Sequence, residues 1–233
     1  MTDKKNNMKV KNIVALGALL LSFTMMSQQT SERAVGDFNE IKVYDLIEVN
    51  LIKSNENKVL VKGDNVDDLQ VVNRNGTLRI KMALNKKFHG ENTFVEVYFK
   101  EIDLIDANEG AKITVNETLT QNSITLKAQE GAQIKVGLDV RRVDSRSVTG
   151  GIIEASGTTK NLNVVLTTGG IFGGKSLQSE DANVKITAAG EAEVYASEIV
   201  DVHMRIGGDV LIYGNPKEVK QNTFAGGRVK VMN

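Results

Sequence analysis

The chain has 233 residues, with 29 Lys plus Arg against 29 Asp plus Glu, so its length allows one substantial core and its balanced charge argues against nucleic acid as a partner. With no cysteine and two histidines, it has neither disulfides nor thiolate or histidine-rich metal sites. Aromatics make up only 5% and tryptophan is absent, which removes the usual stacking platforms for sugars and bases.

The chain opens with Lys4, Lys5, Lys9 and Lys11, then an apolar stretch from Ile13 to Phe23, then the polar run Ser27-Gln28-Gln29. That apolar core is too short to span a bilayer, which takes about 20 residues. The layout is that of a secretory signal peptide over residues 1–27, cleaved after Ser27. Met8 offers a second start. Residues 28–35 are expected to form a short disordered mature N-terminus, and residues 36–233 a single domain. With no lipid-attachment cysteine, the expected product is a soluble exported protein of the periplasm, outer surface or extracellular space.

Residues 36–105 alternate apolar and polar positions at Ile41/Val43, Ile47/Val49/Leu51, Val59/Val61, Leu78/Ile80/Met82 and Val95/Val97/Phe99. Period two with β-branched residues predicts strands with one buried face. "NRNGTL" (73–78) places Asn75-Gly76 at a type I′ hairpin turn. These strands are either the opening coils of a repeat array or a cap over its N-terminal edge.

From residue 106 the chain repeats. The unit G-x-x-Φ-x-Φ, where Φ is apolar, begins at Gly110, Gly131, Gly150, Gly169, Gly207 and Gly226, with Ala189 in the remaining slot. A second alternation precedes the next glycine, as at Ile124/Leu126/Ala128, Leu162/Val164/Leu166, Val184/Ile186 and Val200/Val202/Met204. Two short strands per unit cannot bury a core alone, but stacked units can, each inward residue lying on its counterpart one coil away. The fold class is therefore all-β: a single-stack, parallel β-helix-like solenoid of about 19–20 residues per coil, by the repeat rule for such arrays. Sandwiches and meander barrels also use short alternating strands, but do not require a glycine at one repeating register.

Four motifs invite function. "GGIFGGKS" (169–176) matches the bare pattern of a phosphate-binding loop, with Lys175 and Ser176 in the key places. It is followed by "SLQSEDANVKI", which turns and re-enters a strand where a phosphate loop needs a helix, and Gly169 is already a repeat corner; no nucleotide is expected. Asp201, His203 and Arg205 alternate on one strand and should all point outward. Asn161, Asn163, Asn183 and Lys185 take comparable outward positions on neighbouring coils, giving a polar ladder suited to an extended sugar chain or simply to solvent. "LDVRRVDSRS" (138–147) carries Arg141, Arg142 and Arg146 in the coil poorest in apolar residues, which marks either a loop bulging from the stack or a local irregularity.

"GDFNEIKV" (36–43), "DLIEVNLIKSNENKVLVKGDN" (45–65), "GGDVLIYGNP" (207–216) and "FAGGRVKV" (224–231) resemble the head GIN domain family, the putative auto-transporter adhesins of bacterial envelopes. The resemblance covers about residues 36–233 and implies an exported, all-β, solenoid-like protein. Coils of that family often carry Gly-Ser-Gly-Asp at the corner, whereas here only Gly208-Asp209 keeps the acid.

The expected function is a non-catalytic binding or structural module of the cell envelope that presents a polar face to a glycan or protein, without cofactor, metal or nucleotide. The candidate ligand face is Asn161, Asn163, Asn183, Lys185, Asp201, His203 and Arg205. The alternative is an envelope enzyme acting on polysaccharide, which would require outward acids such as Asp181, Asp201 and Asp209 to converge. Self-association through the edge of the C-terminal coil is a further expectation, with Lys230 as a guard against it.

Overall fold

A computed structural model describes residues 30–63 and 66–232; the expected signal peptide lies outside the described residues. Eight short strands precede the repeats: β1 (Thr30–Ala34), β2 (Glu40–Val43), β3 (Glu48–Lys53), β4 (Lys58–Gly63), β5 (Leu69–Arg74), β6 (Thr77–Met82), β7 (Thr93–Phe99) and β8 (Leu104–Ala107). One strand per coil comes next, as β9 (Lys112–Gln129), β10 (Gln133–Val148), β11 (Ile152–Thr167), β12 (Gly170–Ala188) and β13 (Gly190–Ile206). The last two coils are completed by β14 (Asp209–Tyr213), β15 (Glu218–Ala225) and β16 (Arg228–Val231). The described residues contain no α-helix, and the whole is a parallel β-solenoid of about 7 turns.

The pairing follows the glycine spacing. Gln133 lies beside Lys112 and Ile152, Ile152 beside Ile171, Gly170 beside Gly190, and Asp209 beside Glu191 and Arg228. Inward side chains consequently stack into columns. One runs Leu78, Ile41, Ile105, Leu126, Ser145, Val164, Val184, Val202 through strands paired in register. Every member of that column is buried. Burial of these columns supplies the main favourable term, at roughly 25 cal/mol per Å² of apolar surface.

Each coil is one bent strand with three short legs, where the sequence predicts two separate strands. The bends are marked by consecutive outward residues, Asn116-Glu117-Thr118 and Asn122-Ser123 in β9, and Lys175-Ser176 and Glu180-Asp181 in β12. The third corner is the repeating glycine. At Thr149-Gly150 both residues are left-handed, with φ of 48° and 72°, and the same pair recurs at Glu109-Gly110, Glu130-Gly131 and Thr168-Gly169. Ala189 takes the left-handed conformation too, at φ 48°, although it costs an L-residue about 1–2 kcal/mol.

Residues 36–105 are both coils and cap. β2 and β3 form a coil stacked on β8 and β9, and β6 and β7 stack on their other side, so the chain inserts its first coil between two later ones. Antiparallel β1, β4 and β5 then close the N-terminal edge. Residues 30–34, expected to be disordered, form β1 instead. β1 pairs with β4 along its length, and Arg33 donates hydrogen bonds to the Leu69 and Val66 carbonyls at 2.9 and 3.1 Å. The hairpin at Asn75-Gly76 has φ of 53° and 78°, the type I′ geometry read from the sequence.

The stretch 138–147 is no loop. β10 pairs with both neighbours through this region, and the coil reads as weak because Ser145 and Ser147 occupy inward positions. Both hydroxyls are buried without a hydrogen-bond partner among the described residues.

Candidate functional site

The third legs of β9 to β13 form a regularly paired surface of the solenoid. Every register shift between these coils falls before that leg, so its pairing is uninterrupted from Val143 to Val148 and in the matching stretches of its neighbours. Outward residues therefore fall into straight rows across the coils. One row runs Thr125, Asp144, Asn163, Asn183, Asp201 and Lys220, and the next Lys127, Arg146, Val165, Lys185, His203 and Asn222. Strand spacing of about 4.8 Å makes each row of five steps about 24 Å long.

The seven residues predicted for the ligand face all lie on or beside these rows. Asn163, Asn183 and Asp201 share the first, and Lys185 and His203 the second. Asn161 sits one position earlier in the pleat, opposite Asp181. Arg205 lies two residues beyond His203, beside a shallow depression of about 770 Å³ whose lining includes Lys185, Thr187, His203, Ile206, Asn222 and Phe224. Phe224 is 88% exposed and Ile206 61%, so this end of the face combines cationic side chains with apolar ones.

The acids on the face are held by neighbours. Arg142 grips Asp144 with two hydrogen bonds of 2.7 and 2.8 Å, and Asn163 donates a third at 2.9 Å. Arg142 first, with Asn163 assisting, holds the Asp144 carboxyl below its ordinary value. His203 Nε2 lies 3.2 Å from Asp201 Oδ1. Asp209 is on another leg, clamped by Arg228 at 2.7 and 3.1 Å, and does not approach Asp181 or Asp201 in the pairing. Among the described residues no group of three or more His, Cys, Asp or Glu is placed to hold a metal ion.

"GGIFGGKS" begins at a corner and runs into the first leg of β12, where the extra residues are absorbed by a register shift between Gly174 and Gln178. Gly174 is required by packing, since a Cβ there would lie 2.3 Å from the Phe172 ring. Lys175 reaches over the Tyr213 ring at 4.7 Å. No helix succeeds it, so the dipole and amide cradle of a phosphate site are absent from this stretch.

Two features escaped the sequence reading. Lys127 and Arg146 belong to the second row, but only the successive offsets of 19, 19 and 20 residues, set by the pairing, reveal that they align with Lys185. A groove of about 660 Å³ also crosses the first bend, lined by Thr114, Asn116, Lys135, Glu154, Ser156 and Lys175. Its only trace in the sequence is the run of small residues Gly137, Ser156, Gly173 and Ser176.

The chain belongs to the family described as putative auto-transporter adhesin, head GIN domain, whose profile matches residues 37–216. Its fold is that of a putative adhesin from Bacteroides fragilis NCTC 9343, with a TM-score of 0.82, 16% identity, and coverage of 89% of this chain and 98% of the other. A putative adhesin from Parabacteroides merdae ATCC 43184 superposes with a TM-score of 0.72 at 15% identity, covering 90% and 98% of the two chains. A putative lipid binding protein from Parabacteroides distasonis ATCC 8503 does so with a TM-score of 0.69 at 17% identity, covering 90% and 98%. No curated protein matches the chain.

Proposed function

We propose that this chain is a non-catalytic recognition module of the bacterial envelope, exported and adhesin-like, that holds an extended glycan along the third-leg face. The observation that carries this reading is the pair of in-register outward rows, which repeats polar side chains at one spacing across successive coils. A linear polymer meets such a face over several units at once, and many weak contacts then add without a deep pocket. The held acids favour binding over hydrolysis. Asp144 and Asp209 are each committed to an arginine, whereas a glycoside-hydrolysing site uses two carboxyls facing one bond.

The test is a glycan and matrix-protein array probed at physiological salt with purified residues 28–233, alongside the double variant Asn163→Ala/Asn183→Ala. A selective glycan signal that fades in the variant is the expected result. Release of reducing ends from any bound polysaccharide would replace this reading with the enzyme.

A second reading, self-association, is favoured by the last coil. β15 pairs only with β13 among the described strands, all eight of its residues are exposed, and Val231 beyond it is 42% exposed. Edge strands of this kind are templates for pairing. A monomeric sedimentation profile at rising concentration would remove this reading.

A further inference from the structure

We infer that the third-leg face takes an acidic polysaccharide, one bearing carboxylate or sulfate along its length, with Lys127, Arg146, Lys185 and Arg205 as its counter-charges. This rests on the glycan-binding reading and specifies its chemistry. Many other surface cations sit against carboxylates, as in Lys62–Glu96 at 2.7 Å, Lys112–Glu48 at 3.0 Å and Lys217–Glu198 at 2.7 Å. Cations without such a partner elsewhere, such as Lys81 and Lys135, lie opposite no other cation in the strand pairing. The side chains of Lys127, Arg146, Lys185 and Arg205 have no ion pair or hydrogen bond to the described residues. Lys127, Arg146 and Lys185 each lie between inward neighbours, Lys127 between Leu126 and Ala128 and Lys185 between Val184 and Ile186, so their side chains leave the same face; Arg205 follows inward Met204, two residues beyond His203.

The row also places like charges together. Lys127 is directly opposite Arg146. Like charges facing across strands destabilise a sheet, and at about 4.8 Å they lie inside the Debye length of about 8 Å at physiological salt. A polyanion laid along the row relieves that repulsion. The nearby acids are occupied: Asp144 by Arg142 and Asn163, Asp201 by His203, and Asp106, beside Lys127, by Lys42 at 3.5 Å. From Lys127 to His203 the row spans about 19 Å at the strand spacing, which suits a linear polymer better than a point anion. The adjacent row supplies Thr125, Asn163 and Asn183 for hydroxyl groups, and the exposed Phe224 ring can lie against a sugar ring at one end. Nucleic acid would need bases stacked on aromatics, and neither outward row carries one between Thr125 and Lys220.

The experiment titrates residues 28–233 with polygalacturonate, neutral dextran, single-stranded DNA and phosphatidylglycerol vesicles by calorimetry at two salt concentrations. The inference predicts polygalacturonate binding that weakens with salt and falls about tenfold in Arg146→Gln/Lys185→Gln/Arg205→Gln, the sum of three exposed ion contacts. Lys217→Gln serves as a control and should bind like wild type, with all variants melting normally because the changed side chains are exposed. Dextran bound as well as polygalacturonate would overturn the acidic-glycan inference while leaving the glycan reading intact. DNA bound as tightly would show a generic polyanion surface, and vesicles bound without polygalacturonate a lipid surface; either result overturns it. Binding to no glycan here or on the array would overturn both.

Discussion

Replacing two glycines of the same coil by alanine separates the two kinds of strain on which the solenoid depends. Gly150 sits at a corner with φ of 72°, and a Cβ built there meets nothing within 4 Å. Gly150→Ala therefore pays only for the left-handed backbone, about 1–2 kcal/mol. Gly157 lies inside β11, facing Leu138 and Leu177, with φ of 105°; its Cβ would fall 2.0 Å from the Leu138 carbonyl oxygen. Backbone strain of about 1–3 kcal/mol is joined there by the loss of one or two ladder hydrogen bonds at about 1 kcal/mol each. The total is about 2–5 kcal/mol, a large part of the roughly 5–15 kcal/mol that holds a domain folded. At about 2–4 °C per kcal/mol for a chain of this size, Gly150→Ala should lower Tm by about 2–8 °C and Gly157→Ala by about 4–20 °C. Thermal melts followed by far-UV circular dichroism measure both. Equal losses, or a larger loss for Gly150→Ala, would refute the assignment of Gly157 to a close approach between coils.

Other consequences are as direct. Ser145→Ala removes a buried hydroxyl that has no partner, so it should raise stability by about 1 kcal/mol, read as a higher urea midpoint. Lys175→Ala should cost about 0.5–1 kcal/mol through its lost contact with Tyr213, and ATP should shift Tm of neither wild type nor variant; a shift confined to wild type would restore the phosphate loop. The Asp144 carboxyl is depressed by Arg142 from its ordinary 3.8, so its contribution is present above that value and lost as pH falls through the lower folded-state value. Asp144→Asn should therefore be less stable than wild type near neutral pH and should lose less on acidification, with equal acid limbs in urea melts counting against the clamp. Backbone amides of β15 and β16, each paired on one side, should exchange with deuterium before those of β11.

The repeat was legible because a left-handed corner strongly prefers glycine and an inward column needs apolar residues at one period; both signals are local. The three legs were not, because a bend shows only as two adjacent polar residues, such as Asn122-Ser123, which read as a slip in alternation. Insertion of the β2–β3 coil between β6–β7 and β8–β9 leaves no local trace at all, since each strand looks the same wherever it stacks. Ser145 and Ser147 hid a regular coil by standing where aliphatic residues were expected. On the candidate face, alternation within β11, β12 and β13 revealed the outward Asn161, Asn183 and His203. Lys127 and Arg146 joined the row only once the registers between β9, β10 and β11 were fixed, and zero net charge concealed a row of like charges.

If a glycan lies along the third-leg face, blocking that face at a single site should stop its capture, and the absence of native cysteine makes such blocking straightforward. Asn183→Cys on that face and Gln133→Cys on the first leg, each coupled to a bulky maleimide, would be assayed for capture of the glycan that the unmodified protein binds. The label at residue 183 should abolish capture and the label at residue 133 should leave it intact. Capture that survives at 183 and disappears at 133 would place recognition on the opposite legs and contradict the central claim.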